Sequence, residues 1–254
     1  MHIDVITLFP EWIAQLEQFG VVGRGLRDAR LTLAQWNPRD SADNPNRRID
    51  DRPYGGGPGM VMQAPPLART LERIRAARAK PAPVIMLSPQ GERFDQAWAE
   101  KLASTDGFVL VCGRYEGIDQ RFVDAHVDFE LSAGDVVLSG GELPAMMIID
   151  AVARLLDGVL GDSRSAQQDS FTQGLLDHPH YTRPEQALGE NVPDVLLSGD
   201  HARIARWREK QALGATWLRR PDLLEALALD TRQHELLAEF IAEQGTTREP
   251  KPKS

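Results

Sequence analysis

Glu116 and Tyr115 stand between two glycines, with Arg114 beside them, in the segment Cys112-Gly113-Arg114-Tyr115-Glu116-Gly117-Ile118-Asp119. The segment follows the apolar run Phe108–Val111, so the chain leaves a buried strand and enters a glycine-bounded loop. Open α/β sheets hold their ligands at such exits, just beyond the carboxyl ends of the strands. Two further exits lie close in sequence. Ser88-Pro89-Gln90-Gly91 follows Pro83–Leu87, and Leu138-Ser139-Gly140-Gly141-Glu142-Leu143-Pro144 closes the run Val136–Leu138. Three exits from three apolar runs predict one site built from three loops.

None of these loops is a standard phosphate cradle. Gly113 to Gly117 lacks the GxGxxG spacing, carries a carboxylate, and lacks the Lys-Ser/Thr ending of a nucleotide-binding loop. Gly55-Gly56-Gly57-Pro58-Gly59 neither follows an evident strand nor opens a helix. Nucleotide hydrolysis and dinucleotide redox chemistry are therefore disfavoured. A glycine backbone approaching a ligand beside an acidic group fits a nucleoside with a positive centre, of which S-adenosylmethionine is one.

Three other features have weaker signals. Asp169 lies in a polar stretch apart from other acids, and by itself it reads as solvated. His178 and His180 offer two metal-ligating nitrogens with no evident third ligand, so the pair reads as part of a turn. Asp200 to Arg220 sets Arg203, Arg206, Arg208, Lys210, Arg219 and Arg220 against Asp200 and Glu209, a net +4, with Trp207 interleaved. Cations with an aromatic suit phosphate contact and base stacking. The competing reading packs Ile204 and Trp207 into a small core with the arginines merely solvated, and the segment alone favours it.

These residues need a scaffold, and the composition supplies an ordinary one. The 254 residues are 42% hydrophobic and 26% charged. The net charge of −8 repels polyanions, so any nucleic-acid contact requires a local basic patch. Cys112 is the single cysteine, which excludes an internal disulfide and a multi-cysteine zinc site. No basic leader precedes an apolar run, and the near-apolar stretch Leu143–Leu156 is too short to span a bilayer. A cytoplasmic location and no membrane contact are expected.

Strands are expected over Ile3–Phe9, Leu31–Trp36, 84–87, 108–112, 127–131 and Val136–Leu138. Helices are expected after Pro10, over Pro66–Ala79 and Phe94–Leu102, and over 143–157. Such alternation predicts a mostly parallel sheet covered by helices. The helix over 143–157 is apolar nearly all round, with Glu142, Asp150, Arg154 and Asp157 as its polar residues. It suits either an oligomer interface beside a polar pocket or a thin solvent-facing stripe. Beyond it the chain reads as a flexible linker at 161–174, a helical domain at 175–245 and a disordered tail at 246–254, with an α/β domain at 1–160 before them. Asp230 and Gln233 have the spacing of a capping box.

Several long motifs occur in order: Asp50 to Met60, Leu87 to Gly91, Val111 to Asp119, Leu138 to Ala145, Gly174 to Pro184 and Trp217 to Pro221. Together they resemble the bacterial tRNA (guanine-N1)-methyltransferases of the TrmD type, over roughly residues 1–243. The resemblance implies a SPOUT-class α/β domain with a C-terminal trefoil knot, followed by a small mainly helical domain. It implies a homodimer with active sites at the subunit interface, and S-adenosylmethionine bent in the knot. The substrate would be tRNA, methylated on N1 of the guanine just 3′ of the anticodon. Asp169 matches the family's general base and Arg154 its partner at the guanine. Leu87, Ser88, Pro89, Gly113, Tyr115, Glu116, Gly117, Ala133, Gly134, Asp135, Val136, Val137, Leu138, Gly140, Gly141 and Pro144 match its cofactor pocket. Ala133 stands where a larger aliphatic is common, Val136 where tyrosine is common, and His178 where cysteine is frequent. Mg2+ is linked to the family, but no ligand spacing here establishes a site.

Overall fold

The computed structural model describes residues 1–161 and 169–247. The expected linker residues 162–168, and the expected tail beyond 247, lie outside the described residues. The chain divides into two compact units, Met1–Ser163 and Arg164–Ser254.

The first unit is built on five parallel strands in the order β2-β1-β6-β5-β7. They are β1 (His2–Ile6), β2 (Thr32–Trp36), β5 (Val84–Arg93), β6 (Gly107–Cys112) and β7 (Phe129–Ser132). Between β2 and β5 lies a short antiparallel pair, β3 (Asp50–Asp51) and β4 (Val61–Met62). The helices are α1 (Pro10–Ala14), α2 (Gly20–Arg27), α3 (Ala64–Ala77), α4 (Gln96–Ala103), α5 (Gln120–His126) and α6 (Glu142–Ala153).

Every residue of β6 is buried, as a central parallel strand covered on both faces must be. Successive side chains go to opposite faces. Phe108, Leu110 and Cys112 join one core with Ile13, Val22, Trp98 and Ile148, from α1, α2, α4 and α6. Val109 and Val111 join the other with Leu67, Leu71, Ile74 and Phe122, from α3 and α5. Full burial of each such side chain contributes about 1.5–3 kcal/mol. Asp4 is buried in β1, and its carboxylate accepts from the Trp36 indole N–H at 2.7 Å and from Arg78.

Two expectations need correction. Val136–Leu138 is not a strand; its residues are exposed and form no ladder. A three-residue apolar run has the same pattern whether it pairs in a sheet or lines a cleft. The glycine run Gly55–Gly59 does follow a strand, because it is the tip between β3 and β4. Two-residue strands carry too little periodicity to be seen in sequence.

In the second unit the helix His201–Arg219 packs along the helix Thr231–Thr247. Leu213, Leu236 and Phe240 are buried there. A Cβ on Gly214 would fall 2.4 Å from the Phe240 ring, so glycine allows this close approach. Asp230 and Gln233 exchange side-chain hydrogen bonds with each other's backbone N–H, the capping box that their spacing predicts. Residues 169–174, read from composition as linker, form a hydrogen-bonded turn in which the Phe171 N–H donates to the Leu175 carbonyl at 2.7 Å.

Much of the basic segment is held by carboxylates of the same unit. Arg206 pairs with Glu239, Lys210 with Glu239 and Glu243, and Arg220 with Asp222. Arg203, Arg208 and Arg219 are exposed with no ion-pair partner among the described residues. The Arg206 and Lys210 hydrogen bonds lower the Glu239 carboxyl to about 2. A depressed carboxyl contributes stability above its unfolded value, about 4.3, which is lost as pH falls towards 2. Glu239→Gln should therefore flatten acid unfolding of this unit between about pH 4.5 and 2. Helical circular dichroism against pH checks this, and an unchanged profile would refute it.

Candidate functional site

A cleft of about 510 Å³ opens where β6 and β7 end and beside the middle of β5, which continues past its expected end at Leu87 to Arg93. Its walls come from residues 86–90, 113–118, 130–133, 136–141 and Pro144. Register explains why β5 contributes. Leu87 and Glu92 both stand opposite Leu131 of β7, so residues 88–91 bulge out of the ladder towards the cleft. Gly91 is required at the bulge, since a Cβ there would lie 2.4 Å from the Glu130 carbonyl carbon.

The β6 loop is held from two sides. On one side β4 runs beside it: the Met62 N–H donates to the Gly117 carbonyl, and the Glu116 and Asp119 N–H groups donate to Met60 and Met62, all at 2.9 Å. Gly59 lies under Glu116, where a Cβ would meet the Glu116 carboxylate at 2.3 Å. Tyr115 adopts φ +60°, a left-handed conformation that costs strain outside glycine. On the other side Arg114 reaches the loop before α6. Its Nε and Nη2 each lie 2.9 Å from Oε2 of Glu142, and its Nη1 donates to the Ser139 carbonyl at 3.1 Å.

Glu142 is fully buried and also accepts from the Thr7 hydroxyl at 2.9 Å. It occupies the first turn of α6, where the positive helix end favours a carboxylate. The Arg114 guanidinium lies over Phe9 and Trp12, at 4.4 and 5.4 Å from the ring centroids. The two glycine loops touch directly: the Gly141 N–H donates to the Gly113 carbonyl at 3.0 Å. A Cβ on Gly141 would fall 2.7 Å from the Cys112 Cα, so only glycine permits this contact.

The family model for tRNA (Guanine-1)-methyltransferase TrmD matches residues 1–226. The chain belongs to this family. A tRNA (guanine-N(1)-)-methyltransferase of Halorhodospira halophila is 58% identical over 242 residues, covering 95% of this chain and 92% of that protein. Those of Methylococcus capsulatus and Proteus mirabilis are 54% and 56% identical, each covering 96% of this chain and 97% of theirs.

Within this TrmD-family chain, the cleft gathers all the pocket residues that the motifs indicated except Gly134 and Asp135. Gly134 instead turns at φ +126° and exchanges hydrogen bonds with the Ser132 hydroxyl, while Asp135 is exposed. Val136, Val137 and Leu138 form an exposed apolar wall of the cleft. Arg114, Glu142 and Gly59 lie within the motifs but outside the expected pocket residues, and Thr7 lies outside the motifs altogether, yet all four position the loops. Cys112 is buried below the cleft. Burial, and then the nearby Glu142 charge, push its thiol well above the usual range, so it is no thiolate nucleophile.

Arg154 belongs to the first unit, where it caps the C-terminal end of α6 and is half-buried. Asp169 belongs to the second. It is half-buried and lines a cavity of about 320 Å³ with Gln173, Asp177, His178 and Arg208. Trp207 and Ile204 line a neighbouring cavity with Tyr181, Leu196 and Leu197. Among the described residues, the one group of three or more potential metal ligands is Asp177, His178 and His180. Its two imidazoles do not suit Mg2+, which takes oxygen ligands.

Proposed function

We propose that this chain methylates N1 of guanine in tRNA, at the base just 3′ of the anticodon, with S-adenosylmethionine as methyl donor. The observation that carries the reading is the glycine-lined cleft at the ends of β6 and β7 and the bulge of β5, in a chain of the tRNA (Guanine-1)-methyltransferase family. Its volume suits a nucleoside-sized ligand. The glycine backbone of residues 113, 140 and 141 allows close approach, and the exposed Glu116 at the cleft complements a cationic centre. Bound there, S-adenosylmethionine supplies an electrophilic methyl group carried on a sulfonium.

The chain's own residues then have three tasks. The loops orient the donor, and positioning provides much of the rate. Asp169 takes the proton from guanine N1, which is no nucleophile while it holds that proton. The Arg154 guanidinium stabilises negative charge developing on guanine O6 as the proton leaves. No step is assigned to Mg2+.

The finer architecture belongs to the same reading. The parallel sheet and the direct contact between the 113–117 and 138–144 loops support a SPOUT fold with a trefoil knot there. Leu143 and Met147 form an exposed apolar row on α6, and Phe9 and Trp12 are exposed nearby in sequence to the Thr7 anchor. Such apolar exposure supports a homodimer that covers it, with the active sites at the interface. The unit beginning near residue 164 would hold tRNA through its exposed arginines. No helix among the described residues is long and apolar enough to cross a membrane, and a tRNA substrate supports a cytoplasmic location.

Gly141→Ala tests the cleft. Wedging a methyl against the Cys112 backbone costs about 1–3 kcal/mol, or about 5–150-fold in donor affinity if the strain falls on the bound loop. Calorimetric titration with S-adenosylmethionine reads this directly, and wild-type affinity would remove the loop contact from the binding site. The function itself is tested by methyl transfer from labelled S-adenosylmethionine to a tRNA transcript, with the product digested and weighed. A paired transcript carries adenine in place of the guanine 3′ of the anticodon. N1-methylguanosine on the first alone is expected. Label on a ribose 2′-hydroxyl or a pseudouridine would keep the fold and overturn the substrate atom; no label would leave an RNA-binding protein.

A further inference from the structure

We propose that Asp177, His178 and His180 form a binding site for a divalent transition-metal ion of the Zn2+ type, which braces the turn carrying Asp169. The three donors fall within four residues, Asp177-His178-Pro179-His180, and their ligand atoms all lie within 4.8 Å of one another. The two imidazoles grip opposite oxygens of one carboxylate. His180 Nε2 lies 2.9 Å from Asp177 Oδ2, and His178 Nε2 lies 3.7 Å from Asp177 Oδ1. With metal–ligand bonds of about 2.0–2.2 Å, ligand atoms of one coordination sphere sit about 2.9–3.5 Å apart. The His180 separation lies at the lower edge of that range and the His178 separation just beyond its upper edge, so a rotation of His178 towards the carboxylate completes the site.

The tautomer of His178 adds a second argument. Its Nδ1 lies 3.1 Å from the Pro179 carbonyl oxygen, which can only accept, so this contact is a hydrogen bond in the tautomer with the hydrogen on Nδ1. In the neutral ring the Nε2 lone pair then faces the Asp177 carboxylate, acceptor against acceptor. A cation between them resolves that opposition, and a ring hydrogen donated to a backbone carbonyl is the usual outer support of a metal-ligating histidine. The His178 side chain is only 14% exposed and is anchored beside Trp207, whereas that of His180 is 71% exposed and leaves an open approach for the ion. Two imidazoles and one carboxylate select Zn2+, Co2+ or Ni2+ over Mg2+ or Ca2+, with water completing the sphere.

The position gives the site a consequence. The Asp177 N–H donates to the Ser170 hydroxyl at 2.9 Å, one residue beyond Asp169. Asp177 and His178 line the same cavity as Asp169. An ion here ties the 177–180 segment together and limits the freedom of that turn. The inference stands apart from the methyl-transfer reading and is tested without it.

The experiment is a titration of the chelator-treated full chain with Co2+, read by visible absorption. Ligand-field bands that saturate at a single equivalent per chain and are displaced by Zn2+ are expected. His180→Asn and Asp177→Asn should each weaken Co2+ by at least the 10–100-fold typical of losing an outer-shell partner, about the least that losing a ligand costs. His180 is exposed, so His180→Asn should fold normally, and Zn2+ should raise the melting temperature of the wild type but not of this variant. Absent bands, or bands unchanged in both variants, would overturn the site.

Discussion

Asp169→Asn is expected to lower the rate of guanine methylation by about 10²–10⁴-fold, the usual contribution of a positioned general base, if Asp169 holds that proposed role. The amide keeps the size and shape of the carboxylate but cannot take a proton. Asp169 is half-buried in its own unit, at a turn closed by backbone hydrogen bonds. Donor binding by the cleft of the first unit should not change. Single-turnover rates at saturating tRNA and S-adenosylmethionine measure the chemical step apart from binding. The variant should gain more than the wild type as pH rises, because alkaline solution removes the N1 proton without help. A rate within about twofold of wild type would take the base role from Asp169.

Glu142→Ala is the substitution with the largest expected effect on stability. It leaves the Arg114 guanidinium, whose side chain is 14% exposed, without its carboxylate, and the buried Thr7 hydroxyl without its acceptor. Breaking a buried ion pair from one side costs about 3–5 kcal/mol, a large share of a domain's net stability. Urea unfolding followed by tryptophan fluorescence measures it. The double variant Arg114→Met, Glu142→Leu removes both charges and should recover most of that loss. It should not recover donor affinity, because the clamp between the 113–117 and 138–141 loops is gone. Full recovery of both would make the pair a packing feature with no part in the site.

The patterning of the sheet was legible because burial on both faces leaves continuous apolar runs such as Phe108–Val111, and each run ends where a glycine loop begins. The loop after β6 is therefore legible from the strand it leaves. Val136–Leu138 shows the limit of that signal, since a cleft wall and a strand need the same side chains. The basic segment shows another. Arg206 and Lys210 read as free cations because Glu239, which holds both, lies on a different helix.

Residue types and their local spacing thus specified the five strands of the parallel sheet, the capping box at Asp230 and the family to which the chain belongs. These depend on period, turn chemistry and short motifs, all of which are local along the chain. The clamp was decided only by folding. Thr7 and Glu142 are 135 positions apart and meet because β1 lies beside β6 in the sheet, which no periodicity encodes. Gly59 under Glu116 and Gly141 against Cys112 are set in the same way by backbones that approach in space. Asp177 stands next to His178 in sequence, yet only the turn at 177–180 brings its two oxygens to both imidazoles. Sequence distance bears no fixed relation to separation in space once a chain is packed, so contacts of this kind become visible only in the tertiary structure.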